Sequence, residues 1–254
     1  MIRRVPFTGA LNFRDIGGYP VRGGGVTRWG VVYRSDSLHC LTAGDLPAFD
    51  ALGIKAVYDL RRPSEIARFP GPRGHVHLEI PSRELHKSGA TGLRTRRDGE
   101  EWLLADYLGM LDGAAVAFGN LFSRLPGSGR LPGVIHCLGG KDRTGLAIAL
   151  LLTAAGVERE IVLDDYELTN DCRGVIHVPE IVELFVGSGI ARPAAEGLLR
   201  APRWAMATAL AELDGTYGGI ENYLLGRCQM DPAALDAVKA VLVDHPERRL
   251  HRNT

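Results

Sequence analysis

Short runs of hydrophobic, mostly β-branched residues alternate along the chain with longer segments of helical periodicity. Four of these runs predict β-strands, and they cover residues 31–33, 54–60, 75–80 and 134–137. Parallel strands need long crossover connections, which are usually helices. The alternation therefore predicts an α/β fold with a mostly parallel sheet flanked by helices. In such sheets the functional groups collect at the carboxyl ends of the strands.

Helices are predicted from the segments between these strands. The first begins at a capping-box pattern, Thr42-x-x-Asp45, and ends at Gly53, a residue type suited to the left-handed position after a helix. The other two span residues 101–125, with a break at 112–113, and 146–155.

Two segments interrupt this pattern. Residues 82–100 are polar and predict either a solvated loop or a basic rim that recruits acidic substrates. Their cations are Arg83, Lys87, Arg94, Arg96 and Arg97. Residues 178–206 carry apolar residues at helical spacing on both sides of a Gly-Ser-Gly turn at 187–189. This spacing predicts that the apolar side chains of the segment pack in the core.

Composition narrows the class of protein. The chain has 254 residues and a formal net charge of zero, so nothing in it favours a nucleic-acid partner. The longest apolar run, at 146–157, is too short for a membrane span, which needs about 20 residues. No secretory signal is visible and the four cysteines form no disulfide framework. We expect a single domain over 1–254 in the cytoplasm, and export without a signal stays open.

The segment from Val134 to Gly145 carries the candidate chemistry. A strand runs into Cys137, two glycines follow, Lys141 and Arg143 return beside the sulfur, and an apolar helix begins. A cysteine attacks phosphorus as the thiolate, and a free thiol with a pKa of about 8.5 is mostly protonated at neutral pH. Inward-pointing amides, the helix N-terminus and the two cations favour the thiolate, and they would bind a phosphate dianion in the same place.

These features predict a phosphate-binding loop around a nucleophilic cysteine. Arg143 can grip two phosphate oxygens at once, and the Thr144 hydroxyl can stabilise the sulfur as a leaving group when water attacks a phospho-cysteine. His136, next to the nucleophile, is expected to support the shape of the loop. The residues expected to hold phosphate are Leu138, Gly139, Gly140, Lys141, Asp142, Arg143 and Thr144.

The Cys-x5-Arg spacing by itself is a weak signal. With 4 cysteines and 26 arginines among 254 residues, chance gives about 0.4 such pairs. A buried cysteine beside an ordinary glycine turn is therefore the competing interpretation. None of Cys40, Cys172 and Cys228 has an arginine six positions later. A nucleotide-binding loop is excluded, because its pattern needs glycine at Ile135 and serine or threonine at Asp142.

Dephosphorylation also needs an acid that protonates the departing oxygen. Asp142 lies inside the loop, and Asp59 ends a strand that points towards the same edge of the sheet. For each of them, a structural role in orienting a neighbouring cation is the alternative. His75 and His77 fall on one face of a strand, but without a third ligand they predict an edge-strand surface and no metal site.

The motif His-Cys-x-x-Gly-Lys-Asp-Arg-Thr-Gly at 136–145 resembles the signature loop of the atypical bacterial tyrosine phosphatases. Further matching segments are Asn-Phe-Arg-Asp-Ile-Gly-Gly-Tyr at 12–19, Tyr-Arg-Ser at 33–35, Asp-Leu-Arg at 59–61 with Glu65, Asp165-Tyr166 with Thr169-Asn170, and residues 218–224. The resemblance spans residues 7–240 and implies phosphomonoester hydrolysis through a phospho-cysteine, without a metal or other cofactor. It also implies a helical lid at 178–206, hinged near the glycines.

The loop and the resemblance together predict a cysteine-dependent protein tyrosine phosphatase, with phosphoserine and phosphothreonine as further substrates. Lys141 keeps a phosphoinositide phosphatase open as an alternative, because extra positive charge suits multiply phosphorylated head groups. A phosphate-binding module without turnover is the alternative from another class, and a sulfur-transfer enzyme fits the loop poorly. Around the loop we expect braces rather than substrate contacts from Arg14, Asp15, Asp165 and Tyr166.

Overall fold

The structure, a computed structural model, describes residues 2–71, 74–84 and 92–245, and of residues 173–178 it describes the backbone only. Its strands are β1 (Arg14–Asp15), β2 (Val26–Thr27), β3 (Val32–Ser35), β4 (Ala56–Asp59), β5 (Val76–His77), β6 (Gly133–His136) and β7 (Val243–Asp244). Five of them form a central sheet in the order β1-β3-β6-β4-β5, whereas β2 and β7 pair antiparallel in a second sheet. Within the central sheet only β1 is antiparallel to its neighbour. The predicted α/β class and mostly parallel sheet are confirmed.

The register of the three inner strands defines one edge of this sheet. His136, the last residue of β6, lies opposite Ser35 in β3 and Asp59 in β4. The three parallel strands therefore end in line, immediately before Cys137. Because the carboxyl ends of parallel strands form the edge where ligands bind in such sheets, the loop after β6 starts at the centre of that edge.

Side chains of the inner strands alternate between two hydrophobic cores, as a sheet buried on both faces requires. Ile135 of β6 belongs to the larger core, together with Val32 and Tyr58. Its neighbour Val134 points into a smaller core on the other face, which includes Tyr33 and Phe13.

The helices cover these two cores. They are α1 (Leu46–Ala51), α2 (Pro63–Arg68), α3 (Arg96–Gly113), α4 (Ala115–Arg124), α5 (Arg143–Ala154), α6 (Arg159–Gly187), α7 (Arg192–Leu199), α8 (Arg203–Tyr217), α9 (Ile220–Asn222) and α10 (Pro232–Leu242), with a π-helical turn at Tyr223–Arg227. Every residue of α5 except Thr153 is buried, and the helix packs against β3, β6 and α6. A helix that is apolar on all sides belongs in the middle of a core, which explains the uninterrupted run after the loop.

Most predicted elements are found, with shifted ends. The break in the second predicted helix is confirmed at Ala114, but that helix begins at Arg96, where Thr95 and Asp98 form a reciprocal cap. The first helix begins after Asp45 rather than at Thr42, because the Asp45 carboxylate accepts the backbone N–H groups of Thr8, Gly9 and Thr42. The predicted strand at 75–80 is reduced to the two residues of β5.

Residues 178–206, here called the lid segment, comprise the end of α6, all of α7 and the start of α8. Ala194, Leu198 and Met206 are buried in the larger core, as the apolar pattern predicted. The chain turns at Gly189, whose φ is +88°. The role of this segment as a lid stays a prediction. Among the described helices, none has an apolar stretch of the length needed to cross a bilayer.

Candidate active site

The loop that follows β6 folds back tightly onto the end of β3. Cys137 is 2% exposed, and α5 begins at Arg143, directly after the turn at 138–142. Gly140 has a φ of +61°, and a Cβ at this position would lie 2.6 Å from the carbonyl oxygen of Ser35. Only glycine fits this conformation and this close approach, so the second glycine of the motif is required by the backbone.

Arg143 is held from α2 by a carboxylate. Its Nη1 lies 2.6 Å from Oε2 of Glu65 and its Nη2 lies 2.8 Å from Oε1, and Nη1 also donates to the Leu60 carbonyl at 3.4 Å. A guanidinium has five N–H groups, so these contacts leave Nε–H and one Nη2–H on the adjacent edge of the group for an anion.

The charges around this ion pair support each other. Burial alone would lower the pKa of Arg143, but hydrogen bonds with Glu65 and electrostatic interactions with Cys137 and Glu65 raise it above its usual value. Burial would raise the pKa of Glu65, but its bonds from Arg143 outweigh burial and hold that pKa below the usual range. Both partners therefore stay charged beside the sulfur at neutral pH.

Donors outside the loop fix the direction of its peptide groups. The Gly140 carbonyl accepts from Nη2 of Arg34 at 2.8 Å and from Nδ2 of Asn12 at 3.0 Å, and the Leu138 carbonyl accepts from Oγ of Ser37 at 2.6 Å. In a trans peptide the C=O and the following N–H point in opposite directions. Because these carbonyls point out of the loop, the amides of the residues that follow them point into it, as an anion-binding nest requires.

A buried ionic network anchors these donors. Asp165 of α6 accepts from Arg34 Nη1 at 2.5 Å and from Arg14 Nε at 3.2 Å, and Tyr19 donates to it at 3.0 Å. Burial would raise the pKa of Asp165, but the two guanidinium groups hold it well below the usual range. Arg14 also donates to the side-chain oxygen of Asn12, so both donors to the Gly140 carbonyl belong to one network. Arg14 and Asp165 act as braces, as expected.

Asp15 braces a different part of the same wall. Its two carboxylate oxygens accept the backbone N–H groups of Gly17, at 2.7 Å, and Gly30, at 2.6 Å. These bonds hold the turn that follows β1 against the turn that precedes β3.

The two carboxylates considered as the acid have different surroundings. The Asp142 side chain is 31% exposed, and its Oδ1 lies 2.7 Å from the Tyr107 hydroxyl and 2.9 Å from Nζ of Lys141. Asp59 is fully buried and pairs bidentately with Arg61, with Nη2–Oδ2 at 2.7 Å and Nε–Oδ1 at 2.9 Å. Burial would raise the pKa of Asp59, but the hydrogen bonds from Arg61 hold it below its usual value. Asp59 is therefore a carboxylate bound to its arginine.

Lys141 extends away from the loop towards the lid segment. Its Nζ donates to the carbonyls of Leu198 and Arg200, both at 2.8 Å, in addition to its contact with Asp142. A cation at the carboxyl end of α7 also interacts favourably with that helix dipole. Its ammonium group therefore joins the loop to the lid segment.

His136 and Thr144 lie on either side of Cys137 in the sequence, and both are fully buried. Nδ1 of His136 lies 3.2 Å from the Cys137 carbonyl oxygen, which can only accept, so Nδ1 carries the proton of the neutral ring. Burial lowers the pKa of His136 to about 4, which keeps the ring neutral. Oγ1 of Thr144 has no hydrogen-bond partner among the described residues.

Other sequence expectations have simpler outcomes. His77 lies in the edge strand β5 and His75 directly before it, and no metal-ligand cluster of three side chains occurs in the described part of the chain.

The predicted loop at 82–100 ends earlier than expected, because α3 begins at Arg96. Arg96 and Arg97 pair there with Glu196 and Glu101. Lys87 lies outside the described residues.

Several supporting residues were not predicted for their roles. Glu65 was part of the family pattern only, and its local signal was a helix start: its carboxylate accepts the Arg62 N–H at 2.8 Å. Tyr107 and Ser37 gave no signal, since nothing local marks a tyrosine in a helix or a serine in a turn as a neighbour of a distant loop.

The chain is similar in sequence to known proteins. The sequence profile of the tyrosine phosphatase family matches residues 5–244. Over 244 residues the chain is 28% identical to a Cupriavidus necator protein assigned as a tyrosine-protein phosphatase, which covers 91% of this chain and 86% of the relative. It is also 28% identical over 264 residues to the triple specificity protein phosphatase PtpB of Mycobacterium tuberculosis, with 88% and 92% covered. A solved structure of TpbA from P. aeruginosa is 19% identical and aligns with a TM-score of 0.29, covering 72% of this chain and 87% of that one.

Proposed function

The chain belongs to the tyrosine phosphatase family, and we propose that Cys137 is its nucleophile, within a loop whose amides and Arg143 bind the phosphoryl group. The observation that carries this assignment is the outward direction of the Leu138 and Gly140 carbonyls around a buried cysteine, with Arg143 oriented by Glu65. Such a site places its hydrogen-bond donors where negative charge develops in the transition state.

In the first step the Cys137 thiolate attacks phosphorus, and the bond from phosphorus to the phenolic oxygen breaks. Asp142 supplies the proton that the departing oxygen needs. Its position in the loop and its partial exposure support this role, whereas the bidentate pair with Arg61 supports a structural role for Asp59. The nest amides at 138–143 and the free edge of Arg143 balance the charge on the transferred group.

In the second step water attacks the phospho-cysteine, and the bond from phosphorus to sulfur breaks. The Asp142 carboxylate accepts the proton of the attacking water, which regenerates the acid. Thr144 donates a hydrogen bond to the departing sulfur, a role supported by its buried and unpartnered hydroxyl. His136 holds the loop through the Cys137 carbonyl and takes no proton.

Phosphotyrosine in proteins is the substrate that we propose, with phosphoserine and phosphothreonine as slower substrates. The name of the mycobacterial relative supports a broad specificity. Phosphoinositides are disfavoured, because the ammonium group of Lys141 already satisfies two carbonyls of the lid segment and one carboxylate. A thiolate nucleophile works in a reducing compartment, so we propose the cytoplasm as its location.

The test measures phosphate release from matched phosphotyrosine, phosphoserine and phosphothreonine peptides and from soluble phosphoinositides, each with and without EDTA. We expect EDTA-resistant turnover in the order phosphotyrosine, then phosphothreonine and phosphoserine, then phosphoinositide. Cys137→Ser should lose at least about 1,000-fold in kcat, because the hydroxyl is a far weaker nucleophile than a thiolate. Cys40→Ser, an exposed cysteine outside the loop, is the matched control and should keep full activity.

Two other outcomes would replace this assignment. Binding of phosphopeptides without any phosphate release would identify a phosphate-binding module that lacks turnover. A wild-type preference for phosphoinositides over every phosphopeptide would identify the lipid as the substrate, and it would place the Lys141 charge at the head group.

A further inference from the structure

We infer that Tyr107 is a positioning residue for the acid of this reaction: it holds one oxygen of the Asp142 carboxyl so that the other faces the substrate, and Tyr166 holds Tyr107 in turn. This inference rests on the proposed function, specifically on Asp142 as the acid. It adds a buried pair of tyrosines, from α3 and α6, to the residues that control the proton transfer.

The contacts form a chain of three side chains. The Tyr107 hydroxyl lies 2.7 Å from Oδ1 of Asp142 and 2.6 Å from the Tyr166 hydroxyl. A phenol has a single proton, and a carboxylate can only accept. Tyr107 therefore donates to Asp142, and Tyr166 donates to Tyr107.

Both tyrosines remain donors over the pH range in which such an enzyme works. Each is fully buried, and burial raises the pKa of Tyr107 and that of Tyr166 well above the usual value. The Tyr166 ring lies against the first turn of α5, where a Cβ at Gly145 would be 3.1 Å from its Cδ2 atom. The position of the pair is thus fixed relative to the loop.

The two groups that contact Asp142 lie beside the same oxygen of its carboxylate. Tyr107 donates to Oδ1, and the Lys141 ammonium lies 2.9 Å from the same oxygen. When the carboxyl is protonated, its proton therefore sits on Oδ2, because Oδ1 already accepts the Tyr107 hydroxyl and faces a cation. The tyrosine pair thus selects which carboxyl oxygen carries the transferable proton.

The test compares wild type, Tyr107→Phe, Tyr166→Phe and the matched control Tyr223→Phe. Tyr223 is also a fully buried tyrosine, but its hydroxyl donates to the Leu111 carbonyl. The measurements are kcat and kcat/KM against pH, with a set of aryl phosphates whose leaving groups range from good to poor, and thermal unfolding of each variant.

Tyr107→Phe removes a donor that stabilises the ionised carboxyl, so the basic limb of the kcat/KM profile should move up by roughly half to one pH unit. With poor leaving groups kcat should fall about 10-fold, and with good ones less than about 3-fold, because only poor leaving groups need the positioned proton. Tyr166→Phe should shift the limb in the same direction by less. Tyr223→Phe should leave the profile unchanged even if it unfolds at a lower temperature.

A double-variant cycle separates positioning from general damage. In an Asp142→Asn background, adding Tyr107→Phe should change kcat by less than about 2-fold, because its effect passes through the missing acid. Loss by the same factor in both backgrounds, or an unmoved basic limb in both Tyr107→Phe and Tyr166→Phe, would overturn the inference. If Tyr107→Phe does not fold, the limb of Tyr166→Phe decides the matter by itself.

These failures differ from a failure of the proposed function. Loss of activity in Cys137→Ser and loss of the basic limb in Asp142→Asn would sustain the function, whatever the tyrosine variants do. Retention of the basic limb in Asp142→Asn would remove the premise, and the inference would fall with it.

Discussion

The guanidinium group of Arg143 and the carboxylate of Glu65 form a bidentate ion pair, with separations of 2.6 and 2.8 Å. The two residues are 78 positions apart in the sequence, and the pair connects the first residue of α5 to α2. Because both Nη atoms are held, the remaining Nε–Nη2 edge of the guanidinium has a defined direction before any phosphate binds. In the proposed mechanism this preorganisation would remove a reorientation step.

Removing the Glu65 carboxylate should weaken the binding of phosphate by Arg143, because the guanidinium group loses its fixed orientation although it keeps its charge. We expect kcat/KM on a phosphotyrosine peptide to fall about 10-fold in Glu65→Gln and about 100-fold in Glu65→Ala, with a parallel loss of affinity for vanadate. Glu101→Gln, which removes the partner of the exposed Arg97, should change neither quantity. Full activity in Glu65→Ala would show that Arg143 needs no external support.

Arg143 and Glu65 lie far apart in the sequence, and their pairing illustrates which features of the structure could be predicted from the sequence and which could not. The strand β6, the glycine turn and α5 were predictable because one continuous segment contains all their signals. The contacts of Glu65, Tyr107 and Arg34 with the loop depend on the packing of other elements, and no local pattern encodes them. The pairing of β2 with β7 has the same cause, since each strand has two residues and they lie at opposite ends of the chain.

Lys141 shows how tertiary contacts change an interpretation drawn from charge alone. The sequence suggested a cation directed at the phosphate, but the carbonyls at the end of α7 lie within reach and are unsatisfied at a helix terminus. The interpretation of Arg96 and Arg97 as part of a basic rim changes in the same way, because the start of α3 places each of them beside a glutamate.

Asn12 should matter for both activity and stability. Its Nδ2 holds the Gly140 carbonyl outward, and an alanine there leaves Arg34 as the remaining donor. We expect Asn12→Ala to lower kcat/KM about 10-fold and vanadate affinity by a similar factor, while the free energy of unfolding falls by about 1–3 kcal/mol. Asn222→Ala removes an amide contact with the Gly218 carbonyl far along the chain and should leave activity intact. Equal activity losses in the two variants would contradict a specific role in the loop.

Lys141→Met should loosen the lid segment. The substitution keeps the aliphatic stem but removes the bonds to the Leu198 and Arg200 carbonyls, so amide hydrogen exchange over 192–203 should accelerate about 10-fold. The ratio of phosphotyrosine to phosphoinositide turnover should change by less than about 3-fold, because the charge serves the lid segment. Lys239→Met, at a half-buried lysine paired with Glu221, is the control. A loss confined to phosphoinositides, with unchanged exchange, would mean that Lys141 contacts head groups.

His136 should make the stability of the fold depend on pH near neutrality. Its pKa is about 4 in the folded protein and about 6.5 when unperturbed, so the unfolded chain binds a proton first as the pH falls. The contribution of His136 to the free energy of unfolding should therefore decrease between pH 7 and pH 5, by about 2 kcal/mol. His39, whose pKa is lowered by its partial burial, adds to this slope in the same direction, so the difference between variant and wild type is the quantity to measure.

His136→Asn preserves a donor for the Cys137 carbonyl but does not titrate, so urea unfolding at pH 7, 6 and 5 should show a change in stability with pH that differs from wild type by about 2 kcal/mol. His77→Asn, which alters an edge-strand contact with the Arg61 carbonyl, should keep the wild-type slope. The carboxyls of Asp59 and Glu65 have lowered pKa values, so their contributions are present above the usual carboxyl range and are lost as the pH falls below it. Between pH 5 and pH 7 they stay ionised in both states. Asp106, whose pKa burial raises to about 6, takes up a proton in the folded state over this range and opposes the histidine slope, so the difference between His136→Asn and wild type is what reports on His136. An unchanged slope in His136→Asn would mean that the buried ring accepts a proton without unfolding the loop, and proton transfer by His136 would then have to be considered in the mechanism.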